Sequence, residues 1–232
     1  MRVSQLWSYP VKSMIGEPVT AVDLDELGVT GDRTWAARDL ERGGLRGAKK
    51  IGSLMRLGAH DLGSGHVEIA LPDGTTVTTA DADVDERVSA AIGHSVRLER
   101  LRPVDDLDHY RRGAPDSDDM MAELRAIFGR EDGEPLPDLS VFPPVIAEFE
   151  SPPGTYYDAF PLLVMTTAAL ATLQRALPAS SVDIRRFRPS LVIDTGDDGS
   201  GARTPGHPEF DWRGRRATIG SATIEFDVPC PR

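Results

Sequence analysis

The feature that most constrains the fold is a rhythm of short β-like segments, each cut off by a turn built on glycine or proline. Residues 2–9 alternate, with Val3, Gln5, Trp7 and Tyr9 on one face. Residues 18–24 alternate too, with Val22 and Leu24 two apart, and 34–39, 66–71, 75–79 and 96–101 are further strand candidates. Gly28, Gly31-Asp32, Gly43-Gly44 and Pro72-Asp73-Gly74 supply the breaks. Strands at this spacing predict a barrel or sandwich. Too few helices alternate with them for a doubly wound sheet. One helix interrupts the series: Val84, Val88 and Ile92 recur every fourth residue, and Gly93 follows as a cap.

The character changes at Pro103. Residues 103–157 are rich in Asp, Pro and Gly, and they hold one amphipathic helix, starting at Ser117 or Asp118 and ending at Phe128 before Gly129. The rest of this stretch reads as a surface insertion. Order returns at Phe160. Residues 161–165 form a buried strand candidate. A helix capped by Thr166 or Thr167 runs to Leu177, on the spacing of Leu170, Leu173 and Leu177. Residues 190–195 make a second buried strand, and 216–219 with 222–228 make a hairpin across Gly220-Ser221. The expected organisation is therefore a β-rich subdomain over 1–102, an insertion over 103–157 and a second β-rich domain with peripheral helices over 158–232.

Composition narrows the functional classes. The 232 residues carry 26 basic and 37 acidic side chains, a formal charge of −11, which disfavours nucleic acid and anionic lipid as partners. No apolar run reaches about 18 residues, so no membrane helix is expected. The N-terminus lacks the apolar centre of a signal peptide. The one cysteine, Cys230, excludes an internal disulfide and a Cys-rich metal site. A cytoplasmic location is the default expectation.

Against that acidic background, basic clusters stand out. Tyr9-Pro10-Val11-Lys12-Ser13 ends the first strand with an ammonium and a hydroxyl, both suited to phosphate. A solvated turn lysine is the alternative. Gly28-Val29-Thr30-Gly31-Asp32-Arg33-Thr34-Trp35 places Arg33 at a strand start, where it either meets a ligand or merely pairs with Asp32. Arg185-Arg186-Phe187-Arg188-Pro189-Ser190 puts three arginines in four residues. Pro189 biases Arg188 toward extended geometry, so Arg186 and Arg188 are expected on one face. Val228-Pro229-Cys230-Pro231-Arg232 holds the only thiol between two prolines, with Arg232 favouring the thiolate. His60, His66, His94, His109 and His207 follow no metal-ligand spacing and read as surface or packing residues.

In order and spacing these motifs resemble one family. LWSYPVKSMIGEPV followed by GVTGDRTWAARD looks like the N-terminal β-barrel of MOSC proteins. FPLLVMTTAALATL, RRFRPSLVID and WRGRRATIGSATIEFDVPCPR look like the MOSC domain proper. The relatives are of the kind of bacterial YcbX-like proteins and the mitochondrial amidoxime reducing component. The resemblance implies a mixed, β-rich fold: a MOSC-type β-barrel with an N-terminal β-barrel subdomain. It implies a molybdenum cofactor, Mo-molybdopterin, contacted by Lys12, Ser13, Arg33, Arg186, Arg188, Ser190 and Arg232. It further implies an oxidoreductase that reduces N-hydroxylated or N/S-oxide small molecules, with electrons from a separate ferredoxin or flavoprotein. The alternatives are a carrier of cofactor or sulfur without turnover, and an inactive truncated member. The family's metal-ligand cysteine follows the arginine matched by Arg232, where this sequence stops. A C-terminal truncation is therefore expected, with Cys230 as the only substitute metal ligand.

Overall fold

The computed structural model describes residues 1–196 and 206–230. Its strands, in chain order, are β1 (Arg2–Ser8), β2 (Glu17–Val19), β3 (Leu24–Asp25), β4 (Gly28–Val29), β5 (Trp35–Asp39), β6 (Leu45–Arg46), β7 (Gly58–Asp61), β8 (Val67–Ala70), β9 (Thr76–Thr78), β10 (Val96–Arg100), β11 (Val164–Thr166), β12 (Leu191–Asp194), β13 (Arg216–Ile219) and β14 (Ala222–Glu225). The α-helices are α1 (Val84–Ile92), α2 (Leu107–Tyr110), α3 (Met120–Phe128), α4 (Val145–Glu148) and α5 (Thr167–Ala176). The chain divides into two compact units. A terminal unit gathers Met1–Ser8, Pro18–Thr30 and the described part of Pro161–Cys230; a central unit gathers Tyr9–Glu17 and Gly31–Phe160.

In the terminal unit, the main sheet has the order β11-β12-β1-β2. β11 runs parallel to β12, the crossover being α5, which packs back on both. Leu191, Val192 and Ile193 are all buried, as a strand covered on both faces requires. β1 lies antiparallel on β12, from Arg2↔Asp194 to Leu6↔Leu191, with an irregularity between Val3 and Gln5. Thr166 caps α5, its hydroxyl accepting from Ala169 N at 3.0 Å. β13 and β14 form the expected hairpin, closed by Gly220 at φ 59°. Gly28 is required by two things at once: φ is 107°, and a Cβ there would lie 2.9 Å from Pro161 Cβ.

In the central unit, two three-stranded sheets, β10-β5-β6 and β7-β8-β9, are joined by packing rather than by a ladder. β5 is buried on both faces. Ala37 enters a core of Val11, Met14, Leu54, Leu57, Ile69 and Val88, while Ala36 enters a second one of Leu45, Tyr110, Phe149 and Tyr156. Helix α1 buries Val84, Val88 and Ile92 and ends at Gly93, whose φ of 68° lets its N–H reach Ser89 O. Helix α3 starts at Met120, two residues after the later of the two expected starts, is capped by Asp119, and buries none of its residues.

The β-barrel expectation is overturned. The described residues form a mixed α/β chain of small sheets with two to four strands each, and none closes on itself. Closure needs continuous ladders between successive strands. Here the links beyond the sheets shrink to single bridges, Val11↔Trp35 and Ile15↔Gly58. Pro10, which has no N–H, stands at the head of the first. The extended geometry expected at Arg188 is also absent. Ile184–Arg186 is a 3-10 turn, and Arg188 closes it at φ 56° with its N–H on Ile184 O at 3.3 Å. Closing that turn outweighs the bias imposed by Pro189.

Candidate functional site

Backbone hydrogen bonds set the first two basic motifs side by side in the central unit. Arg33 N donates to Tyr9 O at 2.7 Å, Trp35 N to Pro10 O at 3.1 Å, and Lys12 N to Trp35 O at 2.8 Å. Asp32 adds a side-chain tie, accepting from Tyr9 N while it pairs with Arg33. The Arg33 guanidinium also lies 5.4 Å over the Tyr9 ring.

Lys12 is the most enclosed cation of this region, only 2% exposed. Burying an ammonium is tolerable only when its donors are met, and all three are. Nζ donates to Ser151 Oγ at 3.1 Å, to Tyr156 O at 2.9 Å and to Asp158 Oδ1 at 2.6 Å. Asp158 itself is 64% exposed, and its other oxygen faces Lys49 Nζ at 3.6 Å. An exposed carboxylate thus bridges a buried ammonium and a surface one. Beside it, Ser13 is buried at φ 68°, and its hydroxyl accepts from Ala48 N at 2.8 Å. A Cβ on Gly47 would sit 3.0 Å from that hydroxyl, a tight approach that would make the Ser13 side chain give by a few tenths of an ångström.

A buried polar network that the sequence did not announce backs this wall. His109 accepts at Nδ1 from Arg38 Nη2 at 3.0 Å, and its carbonyl accepts from the same nitrogen at 2.9 Å. Arginine only donates, so the proton of His109 is on Nε2, which donates to Tyr156 Oη at 2.6 Å. Tyr156 Oη in turn donates to Arg100 O at 3.0 Å. Burial, reinforced by the Arg38 charge, lowers the His109 pKa below the ordinary histidine value, although Glu99 at 3.3 Å pulls the other way. Burial likewise raises the Tyr156 phenol. Burial alone would raise Glu99, but hydrogen bonds from Arg38 and Arg97 outweigh it and lower its pKa. His109, read from sequence as a surface or packing residue, is the hub of this network, and only tertiary burial reveals it.

The remaining motif residues belong to the terminal unit. Arg186 is exposed, and Arg188 is partly buried. Ser190 is 1% exposed; its backbone joins Leu163 and Trp7, while its hydroxyl has no hydrogen-bond partner among the described residues. Cys230 is exposed. Arg232 lies outside the described residues. Among the described residues, the non-glycine positions with positive φ are Ser13, Arg33 and Arg188, at 68°, 49° and 56°. All three fall in the basic motifs.

The molybdenum cofactor expectation is not supported by these residues. No group of three or more His, Cys, Asp or Glu able to hold a metal ion exists among the described residues, and Cys230 joins none. In this structure Lys12 Nζ donates to three protein groups and the Ser13 hydroxyl accepts from Ala48 N.

The fold and this cation-lined wall define a mixed α/β chain whose first part is organised around the YPVKS and GDR motifs. Residues 1–109 match the family model described as the MOSC N-terminal beta barrel domain, so this part of the chain carries that domain. No curated protein matches the chain. No helix among the described residues is long and apolar enough to cross a membrane.

Proposed function

We propose that the chain is a binding protein without turnover for a small phosphate-bearing molecule, held at Lys12 and Lys49 in the central unit. The observation that carries this is Asp158. Its exposed carboxylate sits where a ligand's anionic oxygen would sit, 2.6 Å from a buried ammonium and 3.6 Å from Lys49. A buried lysine needs a counter-charge, and an exposed carboxylate on a loop is one that a stronger anion displaces. In a chain of charge −11, such an anion needs a local cationic seat. Ser13, next to Lys12 in the chain, and Arg33 both hold the left-handed conformation, a strain of order 1–3 kcal/mol each that clusters at binding sites.

Titration with inorganic pyrophosphate tests the proposal by calorimetry. Asp158→Asn removes the competing charge and is expected to tighten binding about tenfold, a change of about 1.4 kcal/mol. Lys49→Ala, at a half-exposed position, is expected to weaken it several-fold without unfolding the chain. Failure of Asp158→Asn to change the affinity, or the absence of saturable binding, refutes the assignment.

A further inference from the structure

The terminal unit holds a cavity of about 380 Å³ between β1, the end of β12 and the β13–β14 hairpin. Val3, Ile193 and Ile219 form part of its wall, with Trp212 and Phe226, whose rings lie 5.1 Å apart at 59°. That volume is the lower end of what small-molecule sites use, and an apolar wall with a few polar groups at one side is their usual chemistry.

Three arginines line the same cavity, in a chain that is acidic overall. Two are committed elsewhere: Arg2 faces Asp194 at 3.4 Å and Arg216 faces Glu225 at 2.8 Å. The third, Arg215, has no hydrogen bond or ion pair from its guanidinium to any described residue. Its backbone is fixed instead, Arg215 N donating to Trp212 O at 2.8 Å and Arg215 O accepting from Phe226 N at 3.0 Å. The hairpin therefore anchors, beside a paired aromatic wall, a guanidinium with no partner among the described residues.

We propose that this cavity binds a small aromatic carboxylate, its ring against Trp212 and Phe226 and its carboxylate on Arg215. The guanidinium fork matches a carboxylate at two points, and an aromatic ring fits a tilted aromatic pair better than an aliphatic chain does. The cavity and its contacts lie wholly in the terminal unit, so the proposal stands or falls apart from the Lys12 seat.

The test is calorimetric titration of the full chain with 2-naphthoate, alongside the neutral 2-naphthalenemethanol. Saturable binding is expected at one site, with the carboxylate favoured about tenfold over the alcohol, as a charge-assisted bond supplies. Arg215→Ala, at an exposed position, is expected to abolish that preference while the alcohol binds as before, and Arg215→Lys to restore part of it. Ala217→Leu, which fills the cavity from its hairpin wall, is expected to weaken both ligands. Equal affinity for acid and alcohol, an unchanged preference in Arg215→Ala, or no saturable binding overturns the proposal. So does a self-associated state at the titration concentration that excludes both ligands.

Discussion

Tyr156→Phe is the perturbation that most sharply tests the His109 network. The substitution keeps the ring in the core with Leu45, Tyr110 and Phe149, so no large cavity opens. It deletes one oxygen, and with it two hydrogen bonds: that from His109 Nε2 at 2.6 Å and that to Arg100 O at 3.0 Å. Tyr156 is 1% and His109 9% exposed, so water does not readily replace the lost partner. Each buried group left unpaired costs ~1–3 kcal/mol, and removing the hydroxyl's own desolvation offsets part of that, leaving about 2–3 kcal/mol. For a chain of this length about 1 kcal/mol corresponds to roughly 2–4 °C, so the midpoint should fall by roughly 4–12 °C. Scanning calorimetry of the two proteins at pH 8, where His109 is neutral in both states, measures the difference. The Lys12 bond to Tyr156 is to the backbone carbonyl, so the Lys12 seat should be unaffected. A midpoint within about 1 °C of the parent would show that the hydroxyl contributes nothing, and the tautomer and network assigned to His109 would fall with it.

The His109 pKa is lowered in the folded chain, so between that value and the unfolded value of about 6.5 the unfolded state binds a proton that the folded state refuses. Stability from this group is therefore complete above about pH 6.5 and declines as pH falls through the window, by at most about 1.4 kcal/mol per pH unit; denaturant unfolding at a series of pH values should show the decline, and His109→Gln should lose it. In the terminal unit, Thr166→Ala removes the cap on Ala169 N and the donor to Glu209 at 2.7 Å, and is expected to cost ~1–2 kcal/mol, with Thr166→Ser recovering most of it in the same unfolding assay.

How much of this was readable from sequence depended on whether the determining forces were local. Helix α1 was legible because Val84, Val88 and Ile92 bury one face and Gly93 supplies the left-handed stop. The β13–β14 hairpin and α5 were legible for the same reason: a Gly-Ser turn in one case, a threonine cap in the other. The two-residue strands at Leu24–Asp25, Gly28–Val29 and Leu45–Arg46 carry too little pattern to register. Barrel closure was misjudged because alternation says which face a residue takes, not whether distant edges meet in a continuous ladder. The stretch over 103–157 reads as loop because its order comes from Tyr110, Phe149 and Tyr156 converging on Ala36 and Leu45, contacts that no local window contains.

The candidate site divides along the same line. Its residue types were visible as basic motifs in an acidic chain, but their state was not. Lys12 was weighed as either a solvated lysine or a cofactor contact, and it is neither solvated nor free: its three donors end on groups from 151–158, the segment that seemed least informative. The same closure that satisfies Lys12 brings Tyr156 to His109, so the cation wall and the buried network share one loop. Displacing Asp158 from Lys12 therefore breaks one of the three bonds that hold this loop to the motif, while the Ser151 and Tyr156 bonds keep the ammonium in place. A seat built this way can exchange its counter-charge without exposing the lysine, which is the property an anion-binding site without turnover requires.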